Sequence, residues 1–403
     1  MKARKHILLI ILAQLVLAGI IAGLVIHFRE PAKPAKDDEQ TAGAEIVLEE
    51  AEEQDSDDIL ASIFVASDYQ YQEGWKEPAD TLEGILDAVN AGDKRIDTAI
   101  FCGDYSNKHG LWDYQISPES SIEEIRDIFS AKSPKTNQDD ILFIQGNHDA
   151  LTESITESGL HEFSDYLVYV LNCQNDFPWS QGKTAGCLDK TERSAEKMKA
   201  CFDKLIAAGE KRPIIIATHV PLHYSARTSS RHSTGDNLYS SLIFDVVNSA
   251  ADSLDIIYLF GHNHSKGWDC YMGGSTVFKT IGDTILIPEF EKNSANTDIY
   301  TEEILRFTYL NAGYIGYYMN CGPSEVQNGT LESYKAADDT LTGAICEITP
   351  NEIILTRYSE NGIHQISGDG EGNPYKGGID AELIGSEFYN ISKESPVHIR
   401  RKS

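Results

Sequence analysis

Five apolar runs, each closing on a short polar block, organise the chain. Asp68 follows Ile63-Phe64-Val65, and Gly103-Asp104 follows Ile100-Phe101-Cys102. Gly146-Asn147-His148-Asp149 follows Ile141-Leu142-Phe143-Ile144, Thr218-His219 follows Ile214-Ile215-Ile216-Ala217, and Gly261-His262-Asn263-His264 follows Ile256 to Phe260. Short apolar runs of this kind, rich in β-branched and aromatic residues, predict β-strands. Helical spacing appears between them, in Leu82, Ile85, Leu86 and Val89 of segment 78–89, and in Ile122, Ile125, Ile128 and Phe129 of segment 121–129. Segments 191–208 and 237–251 are longer helix candidates. Beyond Gly261 the pattern turns to β, with strands predicted over 284–288, 304–310, 314–319, 343–348 and 353–358 and a hairpin turn at Pro350-Asn351. Alternating strands and helices predict an α/β fold.

In an open α/β sheet, ligands gather outside the carboxyl ends of the strands. Five strand ends carrying Asp, Asp, Asn, His and a His-x-His pair can therefore meet in one crevice. Carboxylate, amide oxygen and imidazole together suit divalent metals of hard to borderline character. Singly, each residue reads as a turn or cap residue; the ordered set is what points to metal chemistry.

The order and composition of these blocks resemble the calcineurin-like metallophosphoesterase superfamily, whose pattern runs D-x-H, G-D-x-x-[DN], G-N-H-[DE], a lone His, then G-H-x-H. The matching positions are Asp68-Tyr69-Gln70, Gly103 to Asn107, Gly146 to Asp149, His219 and Gly261 to His264. The resemblance implies a four-layer αββα sandwich and hydrolysis of phosphomonoesters or phosphodiesters at a dinuclear centre of manganese, zinc or iron. It implies that Asp104 bridges the two metals, that Asp68, the Gln70 position and His264 hold one, and that Asn147, His219 and His262 hold the other. His148 would face the leaving oxygen, Asp149 would orient His148, and Asn107 would support the loop beside Asp104. One departure stands out: Gln70 occupies the place of a histidine. Its amide oxygen is a weaker donor than imidazole for zinc or iron, and His109 on the next loop is a candidate replacement. That departure motivates a second expectation, a catalytically weakened binding protein of the same fold.

The rest of the chain sets the context. Residues 1–6 are short and basic, and segment 7–28 is apolar and uncharged from Ile7 to Ile26, about the length needed to cross a bilayer. Lys2, Arg4 and Lys5 ahead of it predict a cytoplasmic N-terminus and an extracytoplasmic remainder. The stretch exceeds the apolar region of a cleaved signal peptide, so a single-pass signal anchor is the expectation. Residues 29–58 include eleven acidic residues and no Lys or Arg over 37–58, the composition of a disordered tether. A metallophosphoesterase domain is expected over 59–359 and a C-terminal extension over 360–403, Gly-rich from Gly362 to Gly378.

Residues 59–403 carry 28 basic against 51 acidic residues, which disfavours nucleic acid and leaves a small phosphoester whose charge a metal can meet. Arg227, Arg231 and His232, on the loop after His219, are candidate phosphate contacts. Trp75, Trp112 and Tyr114 are candidate stacking residues. Seven cysteines with no C-x-x-C spacing exclude a zinc-finger reading. Cys102 reads as a core residue, and an extracytoplasmic location would permit a disulfide between Cys173 and Cys187.

Overall fold

A computed structural model describes residues 59–71, 77–106, 115–179, 186–223, 237–262, 278–288, 300–316, 340–361, 390–393 and 396–402. The basic N-terminus, the apolar segment 7–28 and the acidic stretch to 58 lie outside the described residues, as does the Gly-rich run 362–378. Among the described residues no helix is long and apolar enough to cross a membrane.

Two sheets form the frame. The strands are β1 (Ala61–Ala66), β2 (Thr98–Phe101), β3 (Leu142–Phe143), β4 (Gly159–Glu162), β5 (Leu167–Leu171), β6 (Ile214–Thr218), β7 (Ile256–Phe260), β8 (Phe278–Lys279), β9 (Thr284–Pro288), β10 (Tyr300–Ile304), β11 (Thr308–Asn311), β12 (Thr340–Ile348), β13 (Glu352–Asn361), β14 (Asn390–Lys393) and β15 (Val397–Arg400). The helices are α1 (Glu77–Ala91), α2 (Glu119–Lys132), α3 (Cys187–Ala208) and α4 (Ser240–Ala250). The first sheet runs β14-β13-β12-β1-β2-β3, with β15 also on β13, and the second runs β4-β5-β6-β7-β11-β8. Strands β1, β2 and β3 are parallel to one another, as are β5, β6, β7 and β11.

Alternation along each strand sorts its side chains between two layers. From β1, Ile63 and Val65 join Val168, Ile215, Ile257 and Ala344 in an apolar layer drawn from both sheets. Phe64 and Ala66 face the other way, onto Leu82, Ile85 and Leu86 of α1 and Ile122, Ile125 and Phe129 of α2. On the second sheet, Ile214, Ile216 and Tyr258 pack against Met198 and Phe202 of α3 and Ile243, Phe244 and Val247 of α4. The order is helices, sheet, sheet, helices. Both faces of each central strand are covered, which is why the sequence shows unbroken apolar runs there.

Several expectations shift. The strand expected over 304–310 breaks at Leu305, so that Ile304 ends β10 on β9 while β11 pairs with β7 and β8. The first residues of the strand expected over 314–319 form an irregular connection instead; Ile315 N–H donates to Ser67 O at 3.0 Å and Gly316 N–H to Asp68 O at 2.8 Å. That segment supports the Asp68 loop. Cys173 and Cys187 are both buried free thiols.

Residues 390–393 and 397–400, which fall in the segment expected as a C-terminal extension, pair with β13 in the first sheet. Past β15 the backbone reaches the second sheet. Arg401 donates to Thr349 O at 2.7 Å, in the β12–β13 turn, and to Lys211 O at 2.7 Å, just ahead of β6. It also meets the Asp255 carboxylate at 3.4 Å, whose other oxygen accepts the Lys402 N–H at 2.7 Å. Arg401 thus ties one sheet to the other, with its side chain 12% exposed. Arg401→Ala is expected to lower the stability found by denaturant unfolding by about 1–3 kcal/mol, the scale of lost hydrogen bonds to a charged group. Arg400→Ala, at an exposed neighbour, should stay within about 0.5 kcal/mol of the parent; equal effects from the two changes would contradict the tie.

Candidate metal centre

The parallel strands deliver the polar blocks to one edge. Val65 pairs with Ile100 and Ile100 with Leu142, so the turns after β1, β2 and β3 emerge side by side. Ile216 pairs with Tyr258 in the second sheet, which sets His219 beside the Gly261 turn. Hydrogen bonds lace the turns together: Asp68 N–H to Gly103 O at 2.8 Å, Gln70 N–H to Asp104 O at 2.9 Å, and Gly261 N–H to His219 O at 3.0 Å. His262 N–H donates to Asp68 Oδ2 at 2.9 Å, which joins the two sheets at the site itself.

The backbone is strained where the chemistry sits. Non-glycine residues with left-handed φ are uncommon and mark functional turns. Among the described residues they are Asp68 (φ 52°), Gln70 (47°), Asp93 (53°), Asp104 (59°) and His262 (68°), and all but Asp93 belong to the polar blocks. Gly146 is required by proximity, because a Cβ there would stand 2.2 Å from Asp104 Oδ1.

Asp104 is the centre of the cluster. Its Oδ1 accepts the His148 N–H at 2.9 Å. Its Oδ2 lies 3.2 Å from His219 Nε2 and 3.9 Å from His148 Nε2. His219 Nε2 is also 3.0 Å from Asn147 Oδ1 and 3.2 Å from His262 Nδ1. Donor atoms held at about 2.0–2.2 Å from one ion lie roughly 2.9–3.5 Å apart, so these separations fit a single cation surrounded by Asp104, Asn147, His219 and His262. The Asp104, His219 and His262 ligand atoms all fall within 4.8 Å of one another, and all three residues are buried. His219 Nδ1 contacts Cys102 O at 2.7 Å, the outer hydrogen bond that fixes a ligating imidazole and turns its other nitrogen inward.

Electrostatics agree with a cation at this point. Burial pushes the Asp104 carboxyl up, but the adjacent His219 and His148 and their hydrogen bonds outweigh it and hold the group below the usual carboxylate range. Burial pushes His219 down, and the Asp104 charge and hydrogen bond reverse that and raise it to about 9. A buried carboxylate of this kind demands positive charge beside it, as a proton or as a metal.

Asp149 has other partners than the His148 ring it was expected to orient. Its Oδ2 accepts the Asp104 N–H at 2.7 Å and the Gly146 N–H at 2.8 Å, and its Oδ1 accepts the Tyr105 N–H at 2.9 Å. The carboxylate therefore clamps the loop of Asp104 to the loop of Asn147 and His148. Burial and then the Asp104 charge raise its pKa to about 7, against the pull of the Gly146 and Tyr105 N–H groups.

Asp68 and Gln70 are buried at the edge of the cluster. His264, Asn107, His109, Arg227, Arg231, His232, Trp75, Trp112 and Tyr114 lie outside the described residues. Contributors that strand-end reasoning does not select are the Cys102 carbonyl, Trp179, whose ring centroid is 5.8 Å from that of His262, and Gln145, whose side chain donates to Asp149 O at 3.0 Å. Gln145 was within reach of the sequence as the residue directly before Gly146. The other two depend on contacts across the fold.

The profile of the calcineurin-like phosphoesterase family matches residues 61–266. No curated protein matches the chain. Among solved structures it is similar to a Vps29 single mutant from Entamoeba histolytica, at 12% identity over 84% of this chain and 99% of that one with a TM-score of 0.31. A conserved predicted phosphoesterase from Streptococcus pneumoniae gives 11% identity, 83% and 98% coverage and 0.27. Purple acid phosphatase from yellow lupin seeds gives 11%, 74% and 51%, and 0.33.

Asp149→Asn is expected to place an amide NH2 against a backbone N–H and to loosen Asp104. Metal affinity by titration should fall about 10–100-fold, the usual cost of losing an outer support. His148→Ala should leave that affinity nearly unchanged. An Asp149→Asn protein that binds metal like the parent would contradict the clamp.

Proposed function

The chain belongs to the calcineurin-like phosphoesterase family, and from that premise we propose that it is a metal-dependent hydrolase of phosphomonoesters or phosphodiesters. The observation that carries this reading is the convergence of Asp104, Asn147, His219 and His262 on one point at ligand spacing. A bound divalent metal supplies charge neutralisation for the phosphoryl oxygens and a nucleophile at neutral pH. We propose manganese, zinc or iron as the metal, with Asp104 as the bridge to a second ion held by Asp68, Gln70 and His264.

The chain's own residues have separable tasks in this reading. Asp104 sets the negative charge around which the imidazoles and the amide gather. Cys102 O fixes the tautomer of His219. Asp149 holds the two loops in register and acts on His148 through the backbone. His148 is assigned the proton on the leaving oxygen; its ring is 14% exposed at the rim while its N–H is tied to Asp104, which supports that role. Asn107, Arg227, Arg231 and His232 are proposed to meet the phosphate. The apolar segment 7–28, with Lys2, Arg4 and Lys5 ahead of it, supports anchorage to a membrane with this domain on the outer side.

A second reading, a weakened member of the family acting as a surface binding protein, is favoured by Gln70, which is buried in the turn beside Asp104 in place of a histidine. One experiment separates the two. The chelator-treated protein is titrated with manganese, zinc and ferrous iron and assayed on p-nitrophenyl phosphate and bis(p-nitrophenyl) phosphate. Hydrolysis by the parent is expected, with a loss of at least roughly 10²-fold in Asp104→Asn, the scale of removing one charge-stabilising group, and with unchanged circular dichroism. Gln70→His should tighten the weaker ion and raise the rate at limiting metal. A parent silent on both esters, with turnover only after Gln70→His, would establish the binding-protein reading. Near-parental activity in Asp104→Asn would refute the dinuclear mechanism.

A further inference from the structure

The segment following β5 is attached to the metal centre at both ends. At one end Cys173 N–H donates to Gln145 O at 3.2 Å, and the Gln174 N–H donates to Gln145 Oε1 at 2.9 Å while Gln145 Nε2 donates to Gln174 Oε1 at 3.2 Å. Asn172 Oδ1 accepts the Gln145 N–H at 2.8 Å. Gln145 directly precedes the Gly-Asn-His-Asp block, so this end is fixed to the loop that carries Asn147. Within the segment, Asp176 and Phe177 N–H groups both return to Asn172 O, at 3.0 and 3.2 Å, and make a tight turn. At the other end stands Trp179. Its N–H donates to Cys173 Sγ at 3.3 Å, and its indole packs against the helix-side core of the second sheet. The ring lies 5.8 Å from the His262 ring, centroid to centroid, at 54°. Trp179 is only partly buried, although it touches a ligand residue that is itself 2% exposed.

A rigidly mounted, partly exposed indole beside a metal ligand is a platform for a flat apolar group. We propose that Trp179 is the specificity-determining residue of this site and selects phosphoesters whose esterified group is aromatic, an aryl or heteroaryl ring, over alkyl esters. The proposal rests on the metal-dependent phosphoester site described above. The partly exposed indole would give the ring of an aryl ester a polarisable partner, and aromatic pairs gain free energy beyond their area alone.

The test separates binding from turnover. Phenylphosphonate and methylphosphonate, which present the same anion with and without a ring and cannot be hydrolysed as esters, are titrated by calorimetry into the manganese-loaded full chain. The parent should bind phenylphosphonate about tenfold more tightly, the scale of one aromatic pair. Trp179→Ala should bring the two ligands to within about twofold, and Trp179→Phe should keep most of the preference. Manganese affinity should be unchanged in both variants. A parent without preference, a preference that survives Trp179→Ala, or a loss of manganese affinity in both variants overturns the proposal; the last would make Trp179 a support for His262 only. Trp179→Phe carries the decision if Trp179→Ala does not fold. Discrimination between the phosphonates without hydrolysis of any ester would sustain the role of Trp179 and remove the hydrolase reading. Hydrolysis without discrimination would do the reverse, and binding of neither phosphonate would remove both.

Discussion

The site depends on where one buried carboxylate takes its hydrogen bonds. Asp149 has no exposed surface, and a charge in that position is costly unless donors surround it. The donors are three backbone N–H groups from two loops, those of Asp104 and Tyr105 after β2 and of Gly146 after β3. The same bonds that solvate the carboxylate hold the two loops at a fixed separation. They set Asp104 where its Oδ1 meets the His148 N–H and its Oδ2 faces His219. A side chain that reads in the sequence as a partner for a catalytic histidine thereby becomes the brace for the whole cluster.

The brace works against strain. Asp68, Gln70, Asp104 and His262 all adopt left-handed backbone conformations, each costing on the order of 1–3 kcal/mol. Such turns persist because the strands feeding them are immobilised on both faces, β1 between the helices α1 and α2 and the second sheet, and β6 and β7 between the first sheet and α3 and α4. The Arg401 tie adds a covering link at another part of the same two sheets. Core burial thus supplies the rigidity that lets carboxylate, amide and imidazole groups be held close before any ion arrives.

The parts legible in the sequence were those whose signal is local. The apolar runs before Asp68, Asp104, Asn147, His219 and His262 marked β1, β2, β3, β6 and β7, because doubly covered strands carry no polar alternation. Helical spacing located α1 and α2 to within a few residues. What stayed hidden depends on pairing over long separations. The strand at 343–348 was legible but its place against β1 was not, and β14 and β15 join β13 from segments whose own composition is unremarkable. Half-buried β4, with side chains of mixed polarity, gave no periodic signal. The break at Leu305 was missed because Leu305 and Phe307 are buried like strand residues while lying between strands. At the site, block order picked out Asp104, Asn147, His219 and His262, which the fold brings together, but the hydrogen bonds of Asp149 and the packing of Trp179 on His262 involve geometry that spacing alone does not encode.

Asp104, Asn147, His219 and His262 are proposed to hold one cation. X-ray absorption at the zinc edge, on protein loaded with a single equivalent of zinc, tests it most directly. A shell of nitrogen and oxygen donors at about 2.0–2.2 Å is expected, with the multiple-scattering signature of two imidazoles, falling to one in His219→Ala and to one in His262→Ala. An all-oxygen shell, or a spectrum that neither substitution alters, would contradict it.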